Sequence, residues 1–115
     1  MTSLRTPEGK KKYQEYLKTE DLSNSCPLCD KEPVKSFGFW KIIENNFPYD
    51  QIAKTHHMLL PVRHASEKEL RTGEWEELNM IKESFLNAEY DWIIESTHEN
   101  KSIPWHFHLH LIIGK

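Results

Sequence analysis

Glycine is scarce in this chain: four among 115 residues, none of them in a Gly-x-Gly-x-x-Gly or a Walker-type arrangement. A nucleotide bound here would therefore not be held by a glycine-rich cradle. Cysteine is scarcer still, with only Cys26 and Cys29, spaced as Cys26-Pro27-Leu28-Cys29. No apolar run approaches the roughly 18 residues a membrane span needs. The first ten residues, Met1 to Lys10, lack the apolar core of a signal peptide, so the expected address is cytoplasmic. Strong positive charge is also missing. A net charge of -3 argues against general nucleic-acid binding through phosphate neutralisation. A small phosphorylated ligand stays open, because a few local donors suffice for it. There is no internal repeat and no low-complexity segment.

What remains is a globular composition, 37% hydrophobic and 29% charged, at a length that supports one domain with a real core. Residues 1–20 read as an N-terminal helical extension, with Thr6 as cap, Pro7 in the first turn, and Tyr13, Tyr16 and Leu17 on one face. The run Lys10-Lys11-Lys12 reads as a solvated face. Residues 21–115 form the main domain. Ser36 to Glu44 has the aromatic and branched content of a strand. Asn45 to Asp50 is turn-rich, and His57 to Leu60 forms a second strand stopped by Pro61. Ser66 and Glu69 have capping-box spacing, Gly73 breaks or restarts the helix, and Leu78, Ile81, Phe85 and Ala88 supply its apolar face. Asp91 to Ser96 and Trp105 to Ile113 are two further strands that should pair antiparallel across a polar loop. The expected fold class is α+β, an antiparallel sheet with helices on one face. Trp75, Trp92 and Trp105 fall on apolar faces and are assigned to the core.

The chemistry is concentrated near the C-terminus, in Trp105-His106-Phe107-His108-Leu109-His110-Leu111. Extended backbone alternates its side chains between two faces. That places His106, His108 and His110 in a row and sends Trp105, Phe107, Leu109 and Leu111 into a core. Imidazoles in a row could bind a metal, hold a phosphate, or supply a nucleophile with its acid–base partner. The cysteine pair adds a second signal. Cys-x-x-Cys in a cytoplasmic chain is a zinc knuckle or redox pair more often than a disulfide, and the surroundings lack a thioredoxin-like βαβ pattern. A closed zinc site wants four ligands. With no further cysteine, histidine must complete it, from among His56, His57, His64, His98, His106, His108 and His110. Two histidines left over, about 6–7 Å apart along the strand, could attack a phosphate and neutralise developing charge without magnesium.

These residues resemble the histidine triad (HIT) superfamily, whose hallmark alternates three histidines with apolar residues. Here it reads His106-Phe107-His108-Leu109-His110-Leu111-Ile112. Thr55-His56-His57-Met58-Leu59-Leu60-Pro61-Val62-Arg63-His64 is similar to the family's strand ending in Pro-x-x-His, and Asn46-Phe47-Pro48-Tyr49 to its strand entry. The motif order is that of the zinc-containing branch, which includes galactose-1-phosphate uridylyltransferase, and the likeness covers residues 24–113. The resemblance implies a HIT-like antiparallel sheet of about five strands with two main helices. It also implies a nucleotide hydrolase or nucleotidyl transferase acting at an α-phosphate through a covalent nucleotidyl-histidine. His108 would be the nucleophile, and His110 would bind phosphate and help the leaving group. Structural zinc would sit on Cys26, Cys29, His64 and His106. His56, Asn46, Glu95 and Ser102 would lie near the substrate, a nucleotide or nucleoside phosphate, and relatives often form homodimers.

The sequence departs from the family pattern in its glycine-free loop Ser96 to Trp105, in Glu95 where relatives carry Asn, and in ending at Lys115 without a specificity tail. Glu95 and the glycine-free loop favour an alternative, a non-catalytic zinc-stabilised nucleotide-binding or interaction module on the same scaffold. A zinc-supported HNH-type nuclease is disfavoured, because no Asn and His follow His56-His57 at the required spacing. Arg63 reads equally as a phosphate ligand or a surface residue.

Overall fold

Pro7 fixes a backbone angle suited to a first helical turn and opens α1 (Pro7–Thr19). Thr6 caps it, its hydroxyl accepting the Gly9 N–H at 3.1 Å. Asp50 then tethers the cap, accepting from the Thr6 N–H at 2.7 Å and the Thr6 hydroxyl at 2.9 Å. The computed structural model describes residues 4–19, 26–101 and 103–115. The remaining strands are β1 (Lys35–Ser36), β2 (Trp40–Glu44), β3 (Ala53–Pro61), β4 (Trp92–Ile94) and β5 (Leu109–Gly114). They form one antiparallel sheet in the order β1-β2-β3-β5-β4. The second main helix begins as α2 (Thr72–Ile81), passes through a π turn at Lys82–Leu86, and ends in a last turn at Asn87–Glu89. Glu74 starts it by accepting the Arg71 N–H at 2.8 Å. Among the described residues, no helix is long and apolar enough to cross a membrane.

One sheet face is covered by this second helix. Leu78, Ile81 and Leu86 pack there with Trp40, Ile42, Leu59, Phe107, Leu109 and Leu111. Each such side chain contributes roughly 1.5–3 kcal/mol of transfer free energy. The opposite face carries a smaller cluster of Leu28, Ile43, Met58, Leu60 and Ile103. The direct pairing of Met58 with His110 puts the histidine row on that second face.

Several expected boundaries move. Ser36 to Glu44 is a hairpin rather than a single strand: Phe37 N–H reaches Trp40 C=O at 2.7 Å and closes a tight turn. A Cβ at Gly38 would meet the Glu77 carboxylate at 2.6 Å, so a larger residue there would displace the end of that side chain from the Phe39 N–H it accepts. The second strand is longer than expected, beginning at Ala53. The last strand is shorter, because residues 105–108 precede β5. Pro61 has no N–H to continue the ladder, its carbonyl accepts from His106 Nε2, and Phe107 N–H turns to Ala65 C=O. Trp105 consequently leaves the expected face and packs with the second cluster.

Trp92 is half exposed, not core, because β4 is an edge strand. On the second helix the π turn adds a residue to the repeat, so Leu86 rather than Phe85 is fully buried, and Ala88 is exposed. The helices are also not confined to one face. Tyr13 and Tyr16 of α1 touch Phe47 and line a cavity on the histidine side.

Candidate active site and metal centre

At one end of the second face, Cys26, Cys29, His64 and His106 converge with their ligand atoms within 4.8 Å of one another, a group that could hold a metal ion. Residues 27–30 form a turn that places the cysteines side by side, and His64 follows β3 after Pro61. Cys29 Sγ lies 3.1 Å from His64 Nδ1 and 3.4 Å from His106 Nδ1, and Cys26 Sγ is also 3.4 Å from His106 Nδ1. A tetrahedral ion with bonds of about 2.0–2.3 Å spaces its ligands by about 3.3–3.8 Å. The donor set and spacing therefore fit. The hydrogen bond behind one ligand fits as well: His106 Nε2–H donates to Pro61 C=O at 3.0 Å, leaving Nδ1 with its lone pair toward the thiols. Burial and the neighbouring Cys26 push the Cys29 thiol up to about 11. A coordinated cation reverses that preference by stabilising thiolate.

The row continues toward the centre of the sheet, with both remaining triad histidines buried. His108 Nδ1 donates to His106 C=O at 2.9 Å, so its Nε2 carries the lone pair. His110 is set the other way. Tyr49 N–H donates to His56 Nδ1 at 2.9 Å, which puts the His56 proton on Nε2. That Nε2–H faces His110 Nδ1 at 2.8 Å, which leaves the His110 proton on its own Nε2, 3.2 Å from the Tyr49 hydroxyl. Two adjacent rings, with centroids 5.2 Å apart, thus present a lone pair and an N–H. Burial drives all three below the ordinary imidazole range, His56 to about 3 and His110 to about 2, with Arg5 contributing at both and neighbouring histidines adding to it. They stand neutral near pH 7.

His108 and His110 open into a cavity of about 300 Å³ whose walls include Arg5, Tyr13, Tyr16, Phe47 and Lys101. Three cations line it, Arg5, Lys31 and Lys101, and among the described residues no Asp or Glu does. In a chain with 18 acidic and 15 basic residues, that local excess selects for an anion. Arg5 donates through Nε to Phe47 C=O at 3.0 Å and lies over the rings of Tyr13 and Tyr49 at 4.0 and 4.8 Å.

The structure brings together Cys26, Cys29, His64 and His106, and separately His56, His108 and His110. Asn46 lines the cavity. Glu95 does not line it; its carboxylate lies 3.4 Å from Lys101 Nζ. Ser102 and the side chain of His98 lie outside the described residues. His57 points away from His56, as alternation requires, and meets the Tyr90 hydroxyl at 2.7 Å. Arg63 is not a phosphate ligand in this arrangement, because it pairs with Glu74 at 2.8 Å on the helix-covered side. Sequence reasoning missed Arg5, Tyr49 and Lys101. Only Tyr49 carried a signal, through its place in the strand-entry segment.

No family model matches the chain, and no curated protein matches it. Among solved structures it resembles a protein called HTC1, with a TM-score of 0.57 at 17% identity, covering 96% of this chain and 75% of that one. At that identity the likeness establishes the α+β architecture of a five-stranded antiparallel sheet with two main helices.

Proposed function

We propose that this chain is a HIT-type nucleotide hydrolase or nucleotidyl transferase, working at an α-phosphate through a nucleotidyl-histidine on His108, with a structural zinc on Cys26, Cys29, His64 and His106. The observation that carries this reading is the hydrogen-bond geometry at the wall of a cavity lined by cations: His108 Nδ1 meets a backbone carbonyl and His110 Nδ1 meets His56 Nε2, which assigns opposite tautomers to the two rings. The His108 Nε2 lone pair attacks the α-phosphorus while the bond to the leaving group breaks. The leaving group departs with the electron pair of the broken bond, the Nε2–H of neutral His110 hydrogen-bonding the oxygen where negative charge develops, and takes its proton from solvent. Water, or an acceptor hydroxyl in a transferase, then displaces the nucleotide from His108, whose Nε2 regains its lone pair while the proton of the attacking hydroxyl is released to solvent. Zinc, when bound, supplies folding free energy and no step of this chemistry. Cys2His2 donors favour zinc over the oxygen-seeking cations.

Intact mass of wild type and His108→Ala, after mixing with nucleoside phosphoramidates and dinucleotides and quenching without acid, tests the reading. A nucleotide adduct or product with wild type alone is expected. Silence across the set from a folded, zinc-loaded protein would move the assignment to a non-catalytic nucleotide-binding module, which the glycine-free loop before the triad favours.

A further inference from the structure

Lys101 is a cation of the cavity wall that the proposed chemistry leaves unassigned. It stands in the polar loop between β4 and β5, lines the cavity together with His108, and keeps only 8% of its side chain exposed. Its ammonium lies 5.5 Å from the Phe107 ring centre, a favourable seat for a cation. Its ion-pair partner is Glu95 at 3.4 Å, whose side chain is 42% exposed. Both charges reach His108: the lysine lowers and the glutamate raises its proton affinity.

The asymmetry of this pair matters. Glu95 is well solvated and does not line the cavity, so its carboxylate remains hydrated if the lysine turns away. Lys101 has a flexible four-carbon stem and a compact head with three donors, which suits reorientation. An oxyanion beside His108 would offer that head a full negative charge in a less solvated place, where the attraction is stronger.

We propose that Lys101 is an anion-binding residue of this cavity, parked on Glu95 in the empty site and transferred to a phosphate oxygen when a phosphorylated ligand enters. The inference rests on the phosphate reading given above. It assigns the loop before the triad a charged donor where no glycine backbone is available. Glu95 then holds the lysine only until the ligand arrives, and its own carboxylate, solvated and outside the cavity wall, does not face the ligand.

Calorimetric titration of zinc-loaded full chain with inorganic pyrophosphate tests this in wild type, Lys101→Met, Lys101→Arg and Glu95→Gln. Loss of one charge-assisted donor should weaken binding roughly 10- to 100-fold in Lys101→Met. Lys101→Arg should restore most of it. Glu95→Gln should bind as tightly as wild type or more tightly, since the parking partner competes with the ligand. Zinc content and melting of each variant serve as the folding control. No pyrophosphate binding by wild type, undiminished binding by Lys101→Met, or Glu95→Gln as weak as Lys101→Met would each overturn the proposal. The two readings fail separately. An adduct on His108 formed by Lys101→Met at unchanged KM would leave the enzyme standing and remove the lysine. Lysine-dependent pyrophosphate binding without any adduct would do the reverse.

Discussion

Removing the metal should lower the melting temperature of this domain by about 15 °C. Among the described residues, the cysteine turn is held to the sheet by few contacts besides the four ligand atoms that a metal would join. Leu28 is buried at 5% exposure, which contributes roughly 2 kcal/mol. Lys41, nearly buried on β2, donates from Nζ to Cys29 C=O at 3.0 Å and to Lys31 C=O at 3.3 Å. The Cys29 N–H closes onto Cys26 C=O at 3.2 Å. Those contacts orient the turn, and the two thiols and two imidazoles they gather are what a bound metal would tie together. Metal present at about a thousand times its dissociation constant stabilises the folded state by about 4 kcal/mol. For a domain of this length, each kcal/mol corresponds to about 4 °C.

The assay is thermal unfolding with and without excess chelator, alongside metal content by elemental analysis. Cys26→Ser should purify without metal, melt with the stripped wild type, and respond no further to chelator. Coincident melting curves for loaded and stripped wild type would refute the reasoning, as would Cys26→Ser that keeps both metal and wild-type stability.

Two further outcomes follow from the site and from the helix that borders it. His56→Ala removes the donor that fixes the His110 tautomer. Turnover should fall by roughly 10²-fold or more, as for loss of a positioned hydrogen-bond donor at developing charge, with metal content unchanged; full kcat in this variant would break the assigned proton order. The Asp50 carboxyl is held below the ordinary aspartate range, chiefly by the Thr6 N–H. A depressed carboxylate stabilises above its unfolded pKa and loses that contribution as pH falls through the folded one. The tether of α1 should therefore weaken only in acid, by less than about 1 kcal/mol at a group that solvent still reaches, and the Gly9 amide shift should report it. A midpoint at or above the ordinary aspartate range, or the same titration in Asp50→Asn, would count against the tether.

The legible part of this molecule was the part written in local periodicity. Phe107, Leu109 and Leu111 reach the main core because extended backbone alternates even where no partner strand is bonded. The beginning of β5 was not legible, since it depends on Pro61 and on Ala65, some 40 positions earlier, taking the Phe107 N–H. Glycine at position 38 marked a turn only in hindsight, because the neighbour it sits against, Glu77, comes from the second helix. Arg5 reaches Phe47 across 42 positions, and a single arginine ahead of a helix carries no pattern to announce that. Lys101 was hidden for the same reason: an isolated loop lysine gains meaning only from the cavity it borders.

The two faces of the sheet solve opposite problems. Of the buried polar or charged side chains, Lys41, His56, His106, His108 and His110 are on the site side, whereas Glu74 belongs to the helix-covered side. Buried imidazoles are costly unless each polar atom is partnered, and the apolar cluster on their face is small. His106 resolves much of this alone. Its Nδ1 faces the thiols, its Nε2–H is taken by Pro61, and its carbonyl accepts from His108. One fully buried residue thus joins the end of β3, the metal-ligand group and the ring proposed to attack phosphorus. The His108 tautomer is set by a backbone carbonyl, so it survives any substitution at position 106 that keeps the backbone in place. A Cys replacement there, which retains a ligand atom but loses the Pro61 hydrogen bond, separates holding the metal from holding that backbone. Metal retained with the His108 proton still on Nδ1, read by nitrogen NMR, would mean that coordination alone fixes the carbonyl. Metal retained with a mixed tautomer would assign that task to the Pro61 contact.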